Sequence, residues 1–231
     1  YDSVTAISIS TVQSRGDPMP RPRTPKLSPE LIARAAIAEV DSTGDFTIEG
    51  LARALGVVPS SLYSHVTGRS AIIELTRNEL IPSNPGDETG LTWEQSLTRF
   101  VRRYRDALGE HPRLIPVLTL NTVAGPETVA LYQSLAGILR RAGFSDDRLL
   151  DAVTTVDVFT LGAALDLATP DDTWLPERFP DGPLRDALSS APRGRARSES
   201  AFAFGLTVLV AGLSEALGSV RPPEPSVHDH Q

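Results

Sequence analysis

The residues with the most evident chemistry gather between Thr47 and Val66, in the segment TIEGLARALGVVPSSLYSHV. Pro59, Ser60, Ser61, Tyr63, Ser64 and His65 bring short hydroxyls, a phenol and an imidazole into one brief stretch. Short hydroxyl side chains let a helix backbone approach a nucleic-acid groove closely, and the partial positive charge at a helix N-terminus favours phosphate. Tyr63 and His65 suit donation to phosphate oxygens, which holds a protein on a duplex without reading its sequence. Thr47 and Glu49 stand at the start of the preceding helix, where a Glu49 carboxylate matches the amino group of cytosine. Thr67 and Arg69 follow downstream as further backbone contacts. Arg21, Arg23 and Lys26 cluster in RPRTPK. They form either an arm along the backbone or in a minor groove, or a solvated tail.

Presenting these side chains requires short, well-punctuated helices. Ser28 suits an N-cap, with Pro29 at the first helical position and Glu30 in the first turn, and Gly44 ends that helix. Thr47 opens a second helix with Ile48, Leu51, Ala52 and Leu55 on one face, closed by Gly56 as a left-handed cap. Val57 and Val58 bridge to a third helix, residues 59–66. Ala52 is small where two helices would cross, while Leu51, Leu55, Val57 and Leu62 supply a miniature core. This is helix-turn-helix spacing, though an ordinary three-helix packing unit would share much of it. Gly68 breaks the chain before a fourth helix, 69–81, and residues 82–90 read as a loop.

The remainder reads as helix almost throughout, so the predicted class is all-α. Trp93, Leu97, Phe100, Val101, Tyr104 and Leu108 form an amphipathic stripe. Residues 111–120 form a short apolar helix interrupted by Pro116. Further helices cover 127–142 and 145–168, the latter capped by Ser145. Residues 169–182 are a Pro- and acid-rich loop, 184–188 a helical turn, APRGRARS a mobile basic loop, and 199–217 the last helix. Trp93, Phe100 and Tyr104 are either core or a platform for a ligand. Asp157 is the only charged residue from Ala152 to Leu165. A buried carboxylate needs a partner, so Asp157 either binds a ligand's polar group, pairs across a dimer, or faces water. Asn121 is a similar pocket candidate. The helices at 145–168 and 199–217 are apolar on more than one face, which predicts a two-fold four-helix interface in a homodimer.

Composition narrows the function. The chain has 231 residues, no cysteine, 22 Lys and Arg against 29 Asp and Glu, and a formal charge of −7. A disulfide scaffold and a cysteine nucleophile are excluded, and any DNA contact must come from a local patch. Residues 21–80 are net neutral, with seven bases and seven acids, and so are less acidic than the rest. His111, His228 and His230 have no zinc spacing, and no metal or cofactor is expected. Neither a signal peptide nor a membrane span is expected, which makes the cytoplasm the default. Met19 is the expected natural start, with residues 1–18 either upstream sequence or a natural extension.

From Leu27 to Leu75 the chain resembles the tetracycline-repressor family of bacterial regulators. The resemblance is carried by the first helix ending near Asp41–Gly44, then TIEGLARALGV, then SSLYSHV, then the helix start at Gly68–Arg69. It implies an all-α homodimer with one DNA-reading head per subunit and a C-terminal ligand pocket. Tyr63 and His65 would hold the DNA backbone, while Pro59, Ser60, Ser61 and Ser64 would face bases. Glu49 and Gly50 depart from the family pattern, and Gly50 costs about 1 kcal/mol of helix propensity relative to Ala. The expected organisation is an N-terminal extension (1–26), a helix-turn-helix domain (27–75), a ligand-binding and dimerisation domain (76–219) and a tail (220–231). The expected function is repression of transcription at a double-stranded operator, relieved by a small, mostly apolar effector, without catalysis. The alternative is a helical small-molecule-binding or scaffold protein that has lost operator binding.

Overall fold

The computed structural model describes residues 27–81, 88–122 and 125–218. Arg21, Arg23, Lys26, the N-terminal extension and the C-terminal tail lie outside these. Among the described residues the regular structure is helical, with no strand.

Helix α1 (Pro29–Thr43) begins as its sequence dictates: the Ser28 hydroxyl accepts from the Leu31 N–H at 3.3 Å, and Gly44 ends it at φ 92°. α2 (Ile48–Ala54) is capped by Thr47, whose hydroxyl accepts from the Gly50 N–H at 2.9 Å. α3 (Pro59–Tyr63) is shorter than the predicted helix, because Ser64 and His65 already lie in the turn leading to buried Val66. α4 (Arg69–Leu80) packs along α1, burying Ile32, Ala36 and Val40 together with Ile72 and Ile73. Arg34 closes this seam through a 2.7 Å ion pair with Glu79.

The larger bundle starts with α5 (Trp93–Gly109), held at its N-terminus by a reciprocal capping box between Thr92 and Gln95. α5 packs against α7 (Pro126–Ala142) and α8 (Asp146–Asp166), and α10 (Gly194–Gly218) lies on α5 and α8. The short α6 (Leu114–Thr119) touches both α1 and α4. Pro116 does not interrupt α6. It sits in the first turn, where a backbone N–H has no intrahelical acceptor to lose. Ser145 occupies the N-cap position of α8, but its hydroxyl turns to the Asp147 carboxylate and lowers that group's pKa.

Two predicted boundaries change. The expected turn at 184–188 is α9 (Pro183–Ser190). The expected mobile basic loop supplies the first turns of α10, which starts at Gly194. Arg197 donates to Asp166 at 2.8 Å, and the Ser198 hydroxyl donates to the Asp166 carbonyl at 3.1 Å. These bonds fasten the start of α10 to the end of α8. By length and composition alone α10 is long and apolar enough to cross a membrane. Phe202, Leu206 and Leu213 are buried, whereas Phe204 is 74% exposed and Val208 54% exposed.

Candidate DNA-reading head and ligand cavity

The head is built around Phe46, Leu51, Ala52, Leu62 and Val66, all buried. Between α2 and α3 the chain reverses at Gly56, whose φ of 66° suits glycine, and the Val57 N–H bonds the Ala52 carbonyl at 2.9 Å. With Leu62 anchored, the opposite face must point outward. Pro59, Ser60, Tyr63, Ser64, His65 and Thr67 are exposed, and Ser61 is half-buried. Tyr63 is 56% exposed, a large ring left in solvent beside three serines. The Ser64 hydroxyl donates to the Ser61 carbonyl at 2.7 Å, leaving its oxygen lone pairs to accept.

Three other predicted DNA contacts stand differently. Glu49 is exposed on the first turn of α2. The Thr47 hydroxyl is committed to capping α2. Arg69 is engaged inside the head: it donates to Asp45 at 2.5 Å and to the Phe46 carbonyl at 2.5 Å, and its guanidinium lies 4.3 Å from the Phe46 ring centroid. The Arg69 hydrogen bond holds the Asp45 carboxyl below its ordinary pKa. Thr47 and Arg69 therefore make bonds that shape the head while remaining exposed on it. A Cβ at Gly50 would meet the outer end of the Glu39 side chain of α1.

In the bundle, a cavity of about 120 Å³ opens between α4, α5, α6, α7 and α8. Tyr104, Asn121 and Asp157 line it, together with Arg77, Leu118 and Tyr132. Trp93 and Phe100 do not. They share the α5 stripe, but the stripe faces the core along most of its length and meets the cavity only near Tyr104 and Leu108. Phe100 instead packs edge-on to Tyr104 at 5.9 Å. Asn121 donates to the Val117 carbonyl at 2.6 Å, securing the end of α6.

Asp157 faces the cavity and accepts from the Tyr132 hydroxyl at 3.4 Å to each carboxylate oxygen. Burial raises its pKa above the usual aspartate value, while hydrogen bonds from Tyr104 and Tyr132 and the charge of Arg77 pull it down. Burial and the Asp157 charge raise both phenols. Arg77, Glu74 and Tyr132 escaped the sequence reading. The available signal was the position of Arg77 on the face of α4 that carries Ile73.

The same side chains join α4 to the cavity wall. Arg77 pairs with Glu74 and donates to the Leu118 carbonyl at 2.6 Å. Glu74 accepts from the Gly125 N–H at 2.6 Å and from the Thr128 hydroxyl at 3.1 Å. α4, which packs on the head through α1, therefore holds both the end of α6 and the start of α7.

The sequence pattern of the tetracyclin repressor-like C-terminal domain matches residues 84–217. The chain belongs to the tetracycline-repressor family. It is 28% identical over 209 residues to a class A tetracycline repressor of Escherichia coli, covering 86% of this chain and 96% of that protein. It is 27% identical over 147 residues to the HTH-type transcriptional repressor DrrR1 of Streptomyces coeruleorubidus, a match spanning 61% of this chain and about half, 53%, of DrrR1. The fold is shared with the Streptomyces coelicolor TetR family protein ActR, solved in complex with (S)-DNPA. That likeness has a TM-score of 0.68 at 20% identity and covers 82% of this chain and 98% of ActR. The all-α architecture read from the sequence is the architecture of this family.

Proposed function

We propose that this protein is a ligand-responsive transcriptional regulator that represses from a double-stranded operator and leaves it when a small effector enters the Asp157 cavity. The observation that carries the reading is the outward presentation of Ser60, Tyr63, Ser64 and His65 by a turn whose inner face is anchored through Leu62. A helix buried with its hydroxyls inward would have no such use. In this reading residues 27–75 form the reading head and 76–219 the ligand-binding and dimerisation domain, with α4 linking the two. Its place of action is the cytoplasm. Binding rather than turnover is the work this reading assigns to it.

Family members are dimers. The interface proposed here joins α8 and α10 of two copies, with the exposed Val158, Leu165, Phe204 and Val208 covered in the pair. Two-fold pairing must set the heads about one DNA turn apart, ~34–36 Å, or a multiple of it, to enter successive major grooves. Effector binding acts by favouring a different head spacing, transmitted from the Arg77 and Glu74 bonds into α4.

A gel shift with the DNA flanking the protein's own gene tests the reading. Replacing Tyr63 and His65 together by Ala removes two phosphate donors. It should weaken binding by roughly tenfold, with similar losses on related and unrelated sequences. Undiminished affinity would reject the assigned contact surface. One observation favours a second reading, a helical small-molecule-binding or scaffold protein without operator binding: Arg69, the cation at the head's edge, is tied to Asp45. That reading expects no steep salt dependence of any DNA association.

A further inference from the structure

We infer that the cavity beside Asp157 selects a compact apolar molecule carrying a protonated amine. The inference rests on the cavity being the effector site. Its volume of about 120 Å³ is near that of cavities which admit a single benzene ring, about 150 Å³. Ile81, Leu108 and Leu118 supply apolar wall. The charge balance then decides what the polar end of the occupant must be. The groups facing Asp157 are Arg77 from α4, Tyr104 from α5 and Tyr132 from α7. Arg77 is paired with Glu74 and donates from a second guanidinium nitrogen to the Leu118 carbonyl, so it makes no ion pair with Asp157. The two phenols are neutral.

Among the described residues Asp157 therefore has no ion-pair partner. Its contacts from Tyr132, at 3.4 Å, are longer than the 2.5–2.7 Å typical of hydroxyl donation to a carboxylate. A half-buried carboxylate without a close counter-charge gains most from a cation brought by the ligand. A carboxylate ligand would meet repulsion from Asp157, and a neutral alcohol of equal size would gain only a hydrogen bond.

The test uses the full chain at pH 7.5 with three probes of matched size: benzylamine, benzyl alcohol and benzoate. Calorimetry should show the amine binding about tenfold or more tightly than the alcohol, and benzoate weakest. Asp157→Asn should abolish the preference for the amine while keeping the alcohol's affinity. Tyr132→Phe, which leaves the carboxylate in place, should retain the preference and guards against a folding defect in the first variant. Alcohol or benzoate binding as tightly as the amine would overturn the inference. So would an undiminished amine preference in Asp157→Asn, or no binding by any of the three. A separate gel shift without ligand keeps the two readings apart: failure to bind operator DNA rejects the regulator and leaves the amine selectivity standing.

Discussion

His111 Nδ1 lies 2.6 Å from the Asp41 carboxylate, joining the turn between α5 and α6 to the end of α1. Arg113 reinforces the joint by donating to the Asp41 and Ser42 carbonyls at 3.0 and 2.8 Å. The head is thus gripped at two places: at the end of α1 by this pair, and along α4 by the bonds of Arg77 and Glu74. A ligand that shifts α6 acts on both.

His111→Ala should remove the side-chain half of the first grip. Both partners are partly solvated, so the expected loss is only about 1 kcal/mol in urea unfolding. The larger effect should be on response: operator release should require more effector, because displacement of α6 then reaches the head only through α4 and the Arg113 bonds. An unchanged effector dose curve in a gel shift would show that this contact transmits nothing.

Gly125→Ala tests the second grip. A Cβ there would collide with the Glu74 carboxylate, whose position is set by Gly125, Thr128 and Arg77. The collision should force Glu74 from its bonds and leave Arg77 without its counter-charge, costing about 1–3 kcal/mol. Thermal melts measure the loss, and a melt matching the parent would show that Glu74 yields freely.

The pH dependence of stability should carry the mark of Asp157. Burial raises its folded pKa above the ordinary 3.8. The folded state therefore favours the protonated form, and this contribution is complete below 3.8 and lost as pH rises through the raised value. Asp157→Asn has no such loss. The melting temperature of the variant minus that of the parent should grow more positive from acid toward neutral pH. A difference independent of pH would contradict the burial of this carboxylate.

Phe204→Glu tests the pairing surface. The side chain is 74% exposed in one chain, so the subunit fold should be little affected. A charge facing its symmetry mate across an apolar interface should abolish association. Sedimentation should give a monomer with unchanged helical circular dichroism and weak operator binding, since two half-sites are then no longer engaged together. Retention of the dimer would move the interface elsewhere.

The helix-turn-helix was legible because its determinants are local. Caps at Ser28 and Thr47, a glycine at position 56, and Ile48, Leu51, Ala52 and Leu55 at helical spacing each act within a few residues. The loop expected at 191–198 failed for the opposite reason. Arg197 and Arg195 find Asp166 and Glu199 within reach, one of these acids some thirty positions away. Trp93, Phe100 and Tyr104 could not be told apart in sequence, since periodicity identifies the stripe and not what covers each part of it.

The sequence by itself determined an all-helical chain, its reading head and the outward set of hydroxyls, because backbone capping and helical periodicity depend on neighbours in the chain. Only the tertiary structure decided which polar side chains share the cavity. Arg77, Tyr104, Tyr132 and Asp157 come from four helices, and their charges acquire meaning only when packing removes water and sets each beside its partner. It likewise decided that Arg69 is engaged by Asp45 and the Phe46 carbonyl, since these groups lie in a different turn of chain.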